Sequence, residues 1–250
     1  MIGEEASDWT TVKSGIPQGS VLGPVLFVIF INDLPEALDS ATKIFADNTK
    51  IYRPVKNDGE ITKLQEDIDR TGAWSRTWQL PFNATKSHSL HLGHGNPRHQ
   101  YTLDGQILEA SEEEKDLGVI VDDRLKFRKH AATAAKKANR TLACIRRTIK
   151  YKEKDMIVPL YTALVRPLLE YGNIIWCPRF EEDNKMIERI QRRATKLITS
   201  IKDLDYTDRL KQLNLPSLQH RRRRGDMIQV NKIMYKIDRL ESESLSKGNR

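Results

Sequence analysis

The chain has 250 residues, of which 38% are hydrophobic and 30% charged, a composition typical of a soluble globular protein. The net charge of +8 is uneven, because residues 1–125 hold 12 Lys and Arg against 20 Asp and Glu, whereas residues 126–250 hold 30 against 14. Two cysteines exclude a disulfide framework, and the acidic first residues exclude a signal peptide of ordinary plan.

These bounds predict an intracellular protein, nuclear or cytoplasmic, without a membrane span. The basic second half indicates a polyanionic partner, most simply nucleic acid, and the alternative is a solvated charged helical face. Cys144 and Cys177 are expected to be buried as small hydrophobic side chains.

The first elements are a strand, a glycine loop and an apolar helix. Residues 9–13 alternate and are rich in β-branched side chains, which predicts a strand. Residues 14–20 form a loop with glycines that let a ligand approach the backbone closely. The apolar run at 25–31 is too short to cross a bilayer, so we expect a buried core helix.

A short hairpin follows, with a carboxylate at its tip. The apolar segment 43–46 runs into Asp47 and Asn48, and the apolar pattern resumes at 51–52. From the residues alone, an ordinary hairpin turn and a metal site are equally good interpretations.

Residues 14–35 (SGIPQGSVLGPVLFVIFINDLP) resemble the loop and helix of non-LTR, LINE-type, jockey-like retrotransposon reverse transcriptases. Phe45, Ala46, Asp47 and Asn48 stand where that family carries its aromatic-Ala-Asp-Asp metal-binding turn, with Asn48 replacing the second acidic residue. The resemblance implies an RNA-directed DNA polymerase, a nucleotidyltransferase that uses an RNA template, a DNA primer or target, dNTPs, and Mg²⁺ or Mn²⁺.

The resemblance also implies roles for individual residues. Asp47 is the metal ligand, and Asp47, Asn48 and Lys86 are the catalytic candidates. Lys86 could act as a general acid toward pyrophosphate, although the residues favour an exposed turn lysine. The residues implied to shape the nucleotide and template pocket are Gly15, Pro17, Gln18, Gly19, Phe45 and Ala46.

In this family the fingers and the strand with the first catalytic aspartate precede the glycine loop. The few residues before residue 9 are too short to contain them. We therefore expect a C-terminal portion of a polymerase that is catalytically impaired as this chain.

The rest of the first half is expected to be mixed. Residues 57–78 predict a helix with Asp58 as N-cap and with Trp74 and Trp78 in the core. A strand at 87–92 and a hairpin around Asp104 and Gly105 follow. The four histidines near this strand are interpreted as surface residues rather than metal ligands: His88, His91, His94 and His99.

Residues 115–123 predict one apolar strand that ends in an acidic pair. Taken alone, Asp122 and Asp123 are the better-looking metal site. The preferred interpretation is that they begin the next helix, where acidic groups complement the helix dipole.

The second half is expected to be helical. Helices are predicted from residue 127, over 155–171 with a stripe of Met156, Leu160, Leu164 and Leu168, over 183–201 and over 218–237. Segments 115–119, 164–176, 190–198 and 221–230 resemble the region downstream of the palm in the same elements. The candidate contacts to a nucleic-acid backbone are Lys136, Lys137, Arg140, Arg192, Arg193, Arg221, Arg222, Arg223 and Arg224; the arginine cluster could equally be a localisation signal.

The fold class is therefore α+β. Residues 1–125 form a partial palm, an antiparallel sheet with helices; residues 126–240 form a helical, basic, thumb-like region; and residues 241–250 form a polar tail. The alternatives are a non-catalytic nucleic-acid-binding relic of the same element, and a decayed relic that folds poorly because its palm sheet lacks a central strand.

Overall fold

The computed structural model describes residues 19–237, which form two units. One unit contains residues 19–91 and 95–111, and the other contains residues 92–94 and 112–237. The predicted strand at 9–13, the loop residues Gly15, Pro17 and Gln18, and the polar tail lie outside the described residues. The border between palm and thumb is predicted between residues 125 and 126. The structure places the strands between residues 112 and 125 in the second unit.

The first unit combines two α-helices with three small strand pairs. The helices are α1 (Leu22–Ile31) and α2 (Asp58–Trp78), with 3₁₀ turns at Leu34–Ala37 and Ala84–Lys86. The strands are β1 (Ala41–Phe45), β2 (Asn48–Tyr52), β3 (His88–Leu90), β4 (Thr102–Leu103), β5 (Gln106–Ile107) and β6 (Glu109–Ser111). β1–β2 and β4–β5 are antiparallel hairpins, and β3–β6 is parallel.

Helix α2 is confirmed with a shift of one residue at its cap. The side chain of Asn57 accepts the backbone N–H of Glu60 at 3.0 Å, so Asn57 is the N-cap. Asp58 instead lies in the first turn, where its charge complements the helix dipole. Trp74 is buried in a small core with Ile31 and Leu34, as predicted.

Two burial predictions in this unit are wrong. The apolar run does form α1, but within residues 19–237 only Ile31 of this helix is buried, and Val25, Val28 and Ile29 are exposed. Trp78 is also exposed, and its ring meets the edge of Phe30 at 5.1 Å between centroids. An apolar run sets helicity locally, whereas burial needs a covering element, and no described element covers α1.

The predicted single antiparallel sheet is also wrong for the described residues, because the strands form four separate pairs. The segment at 115–123 is a hairpin rather than one strand. β7 (Glu113–Asp116) and β8 (Val119–Asp122) are joined by Leu117 and Gly118, both with positive φ. A continuous apolar pattern cannot reveal such a reversal, because both strands of a hairpin keep the same period.

The second unit is mainly helical. Its helices are α3 (Arg128–Thr148), α4 (Lys154–Leu160), α5 (Arg166–Glu170), α6 (Glu181–Lys196), α7 (Tyr206–Gln212) and α8 (Leu218–Met234), with a 3₁₀ turn at Thr199–Ile201. A π-helical turn, Tyr161–Val165, joins α4 to α5 just before Pro167. The helical path thus reaches Pro167 through a widened turn, which tolerates the missing N–H of proline.

The stripe predicted across α4 and α5 is wrong by one residue. Ile157, Tyr161, Val165 and Leu169 are buried. Of the predicted stripe, Leu160 and Leu168 are half-buried against the core, and Met156 and Leu164 are exposed. On α3 the buried face consists of His130, Ala131, Ala134, Ala135, Ala138, Leu142 and Ile145. The main core of this unit joins these stripes to Val119, Trp176, Ile187, Ile190, Ile198 and Leu218.

Two family-like segments meet in this unit. The hydroxyl of Tyr171 donates to the carbonyl of Leu117 at 2.7 Å, and the indole of Trp176 donates to the carbonyl of Tyr171 at 2.7 Å. Gly118 has φ +89, and a Cβ there would lie 3.1 Å from the Tyr171 ring.

Cys144 and Cys177 are both exposed, which corrects the prediction that they are buried.

Candidate functional site

The β1–β2 hairpin carries the candidate catalytic turn. The register pairs Phe45 with Asn48, so the two-residue turn is Ala46 and Asp47, and Asn48 already begins β2. Ala46 has φ 50, a left-handed conformation that alanine rarely adopts. Two-residue hairpin turns commonly require a positive φ at their first central residue, so the hairpin itself imposes this conformation.

The turn presents its polar groups to solvent. Asp47 and Asn48 are exposed, and the Asn48 amide nitrogen lies 3.4 Å from Asp47 Oδ1. Phe45 is exposed beside them, and Ala46 is exposed at the tip. The structure therefore brings four of the predicted site residues together.

These residues do not fit the metal centre that polymerisation requires. Mg²⁺ prefers several hard oxygen ligands. No group of three or more His, Cys, Asp or Glu side chains in the described part of the chain could hold a metal ion. Asp47 offers one carboxylate and Asn48 one neutral oxygen, fewer than the several oxygen ligands that Mg²⁺ prefers.

Lys86 and Gly19 lie in exposed turns. Lys86 ends a 3₁₀ turn in which the Asn83 side chain accepts the N–H of Thr85 at 3.1 Å, which agrees with an exposed turn lysine. Gly19 has φ +87 and is exposed.

One of the four histidines departs from its predicted surface position. His88, His94 and His99 are exposed, but His91 is buried against Tyr101. Burial lowers the pKa of His91, which keeps its imidazole neutral near pH 7.

Asp67 is the residue of this region that sequence reasoning missed. It lies on α2 beside Ile68, is completely buried, and accepts backbone N–H groups from the segment that enters β1. The available signal was an acidic residue next to the apolar stripe of a predicted helix. Buried carboxylates are rare unless they are paired.

The acidic pair at 122–123 does not begin a helix. Asp122 ends β8, and its carboxylate accepts the backbone N–H groups of Arg124, Lys126 and Phe127 at 3.1, 3.1 and 2.6 Å. Although burial raises the pKa of Asp122, these hydrogen bonds outweigh it and bring the pKa below its usual range. Asp122 therefore stabilises the loop before α3, which begins only at Arg128.

The basic candidates on α3 and α6 are exposed. Lys136, Lys137 and Arg140 lie opposite the buried alanine face of α3. Arg193 of α6 donates to Asn139 of α3 at 3.1 Å, so its guanidinium lies beside α3. Arg192 lies over the Tyr206 ring at 4.2 Å from the centroid, a cation–π contact that orients it.

Of the four arginines at residues 221–224 on α8, two bond to other side chains of the protein. Arg221 donates to both carboxylate oxygens of Glu170, one at 2.9 Å. Arg222 is 2% exposed and donates to Asn184 at 2.8 Å, and its burial lowers its pKa. Arg223 and Arg224 are exposed. Arg222 is therefore too buried to contact a phosphate, which corrects that candidate, whereas Arg221 is half-buried and paired with Glu170.

Comparison with known proteins identifies the family. A family model described as reverse transcriptase (RNA-dependent DNA polymerase) matches residues 2–142, more than half of the chain. The chain belongs to this reverse transcriptase family.

The relatives are proteins of non-LTR elements. The chain is 28% identical over 199 residues to the probable RNA-directed DNA polymerase from transposon X-element of Drosophila melanogaster, covering 75% of this chain and 22% of the relative. It is 26% identical over 174 residues to the RNA-directed DNA polymerase from mobile element jockey of the same species, covering 64% and 19%.

A third relative is the retrovirus-related Pol polyprotein from a type-1 retrotransposable element of Bradysia coprophila, 25% identical over 242 residues, covering 91% and 24%. The chain thus spans about a fifth to a quarter of the length of these relatives. No solved structure matches the chain. Across residues 19–237, no helix is both long and apolar enough for a membrane span.

Proposed function

We propose that this chain is a segment of the RNA-directed DNA polymerase of a non-LTR retrotransposon, acting on an RNA template, a DNA primer or target, and dNTPs. The observation that carries the proposal is the β1–β2 hairpin, which presents Asp47 at a strained, exposed tip within the region that matches the family. The names of the relatives support the same reaction.

In this proposal residues 1–125 supply part of the palm and residues 126–240 a thumb-like region. Phe45, Ala46, Asp47 and Asn48 face the reacting groups, and Gly15, Pro17, Gln18 and Gly19 shape the nucleotide pocket. Lys86 has the weaker claim as a general acid, since its side chain is exposed.

We further propose that the chain does not polymerise DNA by itself. DNA synthesis joins a primer 3′-oxygen to the α-phosphorus of a dNTP and releases pyrophosphate, which concentrates negative charge at the reacting centre. The family uses divalent metal ions for this step, and the turn offers one carboxylate where several are needed. Asn48 keeps an oxygen but lacks the charge.

A second candidate function is nucleic-acid binding without catalysis, in the nucleus or the cytoplasm. It is favoured by the exposed basic side chains of α3 and α6, which share the outer surface of two packed helices. Contacts of this kind to phosphates are insensitive to sequence and sensitive to salt.

The test is extension of a DNA primer on an RNA template by the full chain, with Mg²⁺ and with Mn²⁺, alongside a binding measurement on the same primed template. We expect binding without extension for the wild-type chain and for Asp47→Ala. Asn48→Asp restores the family's acidic pair and is the matched gain-of-charge variant. It is expected to stay inactive because the turn then offers two carboxylates where several oxygen ligands are needed.

Extension by the wild-type chain that disappears in Asp47→Ala would show that the impairment is wrong and that Asp47 acts in polymerisation. Extension by Asn48→Asp alone would assign the impairment to Asn48. A chain that neither binds nor extends the primed template would contradict both candidate functions.

A further inference from the structure

The base of the candidate catalytic hairpin is held by one buried carboxylate. In the β1–β2 register each pair of partners continues outward from the tip, and Ser40 and Arg53 flank the last pair, Ala41 and Tyr52. Ser40 thus enters the hairpin and Arg53 leaves it. Both contact Asp67 of α2.

Asp67 accepts the chain as it enters β1. Its Oδ1 accepts the backbone N–H of Asp39 at 3.1 Å, and its Oδ2 accepts the backbone N–H of Ser40 at 2.8 Å. Backbone donors cannot turn away as side chains do, so two such bonds fix both the position and the direction of the entering strand.

Arg53 ties the departing strand to the same point. Its guanidinium Nη1 donates to the Ser40 hydroxyl at 3.1 Å and lies 3.7 Å from Asp67 Oδ2. Its Nε pairs with Glu60, which lies on α2 about two helical turns before Asp67. The two strands are therefore linked to each other and to α2.

Arg70 completes the group from the other side. Its Nη2 lies 2.8 Å from Asp67 Oδ1 and 2.6 Å from Asp39 Oδ2. Asp67 itself is 0% exposed. Burial alone raises the pKa of Asp67, but the hydrogen bonds from Ser40 and Asp39 and the charge of Arg70 lower it below its usual range, so the carboxylate stays ionised at neutral pH.

A small rotation at the base of the hairpin produces a large displacement at its tip. Six residues separate Ser40 from the tip, which at the usual rise of a strand is about 20 Å. A rotation of about 10° at the base then moves the tip by about 3 Å, more than catalytic geometry tolerates. Small errors at Asp67 are therefore large errors at Asp47.

We propose that Asp67 is a positioning residue that sets where Asp47 and Asn48 lie. The proposal deepens the proposed function, and its catalytic meaning rests on it. The apolar residues Ile44 and Ile51 also pack one face of the hairpin on the core, but apolar contact is non-directional. The directional hydrogen bonds at the base of the hairpin therefore decide the angle between the hairpin and α2.

The test is hydrogen–deuterium exchange of the full chain, read separately for β1–β2 and for β4–β5 of the same unit. Asp67→Asn keeps the shape but replaces one of the two acceptor oxygens by an amide donor, which then faces the backbone N–H of Asp39 or of Ser40. We expect β1–β2 amides to exchange at least about tenfold faster, with β4–β5 within about twofold of wild type. The control is Asp69→Asn, the same change at an exposed position two residues away on α2.

Equal acceleration in both hairpins would indicate a purely global loss of stability and would overturn the proposal, as would unchanged exchange in β1–β2. If Asp67→Asn does not fold, Arg53→Gln replaces it, since that variant keeps both backbone N–H bonds to Asp67. Faster exchange confined to β1–β2 is again expected, and its absence counts against the clamp. The exchange result does not depend on RNA binding or primer extension, so failure of the proposed function is seen separately.

Discussion

At the scale of single residues, polar groups inside this protein hold segments of backbone. His130 shows this in the second unit: it is buried, its Nδ1 accepts the backbone N–H of Ile120 at 3.2 Å, and its ring meets Trp176 at 4.6 Å between centroids. Burial, together with the charge of Lys137, lowers the pKa of His130. The neutral imidazole is therefore part of the fold.

This arrangement predicts a loss of stability in mild acid. Because the folded pKa lies below the unfolded value of about 6.5, the unfolded chain binds the proton first as the pH falls. The contribution of His130 is complete above that pH and is lost progressively below it. Urea unfolding at pH 7.5 and pH 5.5 should show a decrease for wild type of about 1 kcal/mol beyond that for His130→Gln, because proton binding to the unfolded chain one pH unit below its pKa can reduce stability by at most about 1.4 kcal/mol.

The pH-dependent loss must be compared between wild type and His130→Gln, because buried His91 in the first unit also has a lowered pKa. His99→Gln, at an exposed position, is the control and should keep the wild-type pH dependence. Equal losses for wild type and His130→Gln would show that the imidazole is not the titrating group.

At the scale of elements, the α4–α5 segment shows how a correct helix can be assigned a wrong face. Residues at 156, 160, 164 and 168 and those at 157, 161, 165 and 169 are both apolar at steps of four. The structure buries the second series, where the hydroxyl of Tyr161 donates to Gln191 at 2.7 Å. The polar end of Tyr161 needs that partner, and burial raises its pKa far above the ordinary value.

The two series predict opposite costs for the same substitution. Leu169 is 0% exposed and Leu164 is 50% exposed. Leu169→Ala should reduce the free energy of unfolding by about 2–5 kcal/mol, because it removes buried methyl groups and leaves a cavity. Leu164→Ala should change it by about 0.5 kcal/mol or less. Chemical denaturation followed by circular dichroism measures both, and similar costs would mean that the assigned face is wrong.

Helix α1 also shows that a correctly predicted helix can be assigned the wrong burial. Its sequence is apolar on every face, and the helix forms, but its apolar surface is left exposed within residues 19–237. Local sequence decides whether such a segment is helical. Whether its faces are covered depends on other elements, so burial could not be inferred from the run itself.

At the scale of the whole molecule, charge separates along the sequence, with the second half strongly basic. The exposed basic residues of α3 and α6 are one part of that charge on the surface. Replacing Lys136, Lys137 and Arg140 by Gln should weaken binding to a single-stranded RNA and reduce the slope of log affinity against log salt by about two to three. Fluorescence anisotropy over a salt series measures both quantities.

The matched control removes three charges elsewhere. Lys56→Gln, Lys154→Gln and Lys202→Gln alter exposed lysines outside α3 and α6. If the control triple variant loses as much affinity and slope, net charge alone explains the binding and the α3–α6 surface is not the site.

Much of this protein was accessible from the sequence. The hairpin with Asp47 at its tip, the Asp104–Gly105 hairpin, helices α2, α3, α6 and α8, and the reverse transcriptase family all follow from short-range patterns and a dense motif. These features depend on neighbours a few residues apart, where side-chain period, turn chemistry and caps act directly.

Only the tertiary structure decided which charged and apolar side chains are inside. It placed Asp67, His130 and Arg222 in the interior and left α1, Trp78 and both cysteines exposed. Burial of a charge is settled by partners far away in sequence, such as Ser40 for Asp67 and Asn184 for Arg222. The candidate turn could therefore be found from its own residues, whereas the carboxylate that holds its base could be found only from the fold.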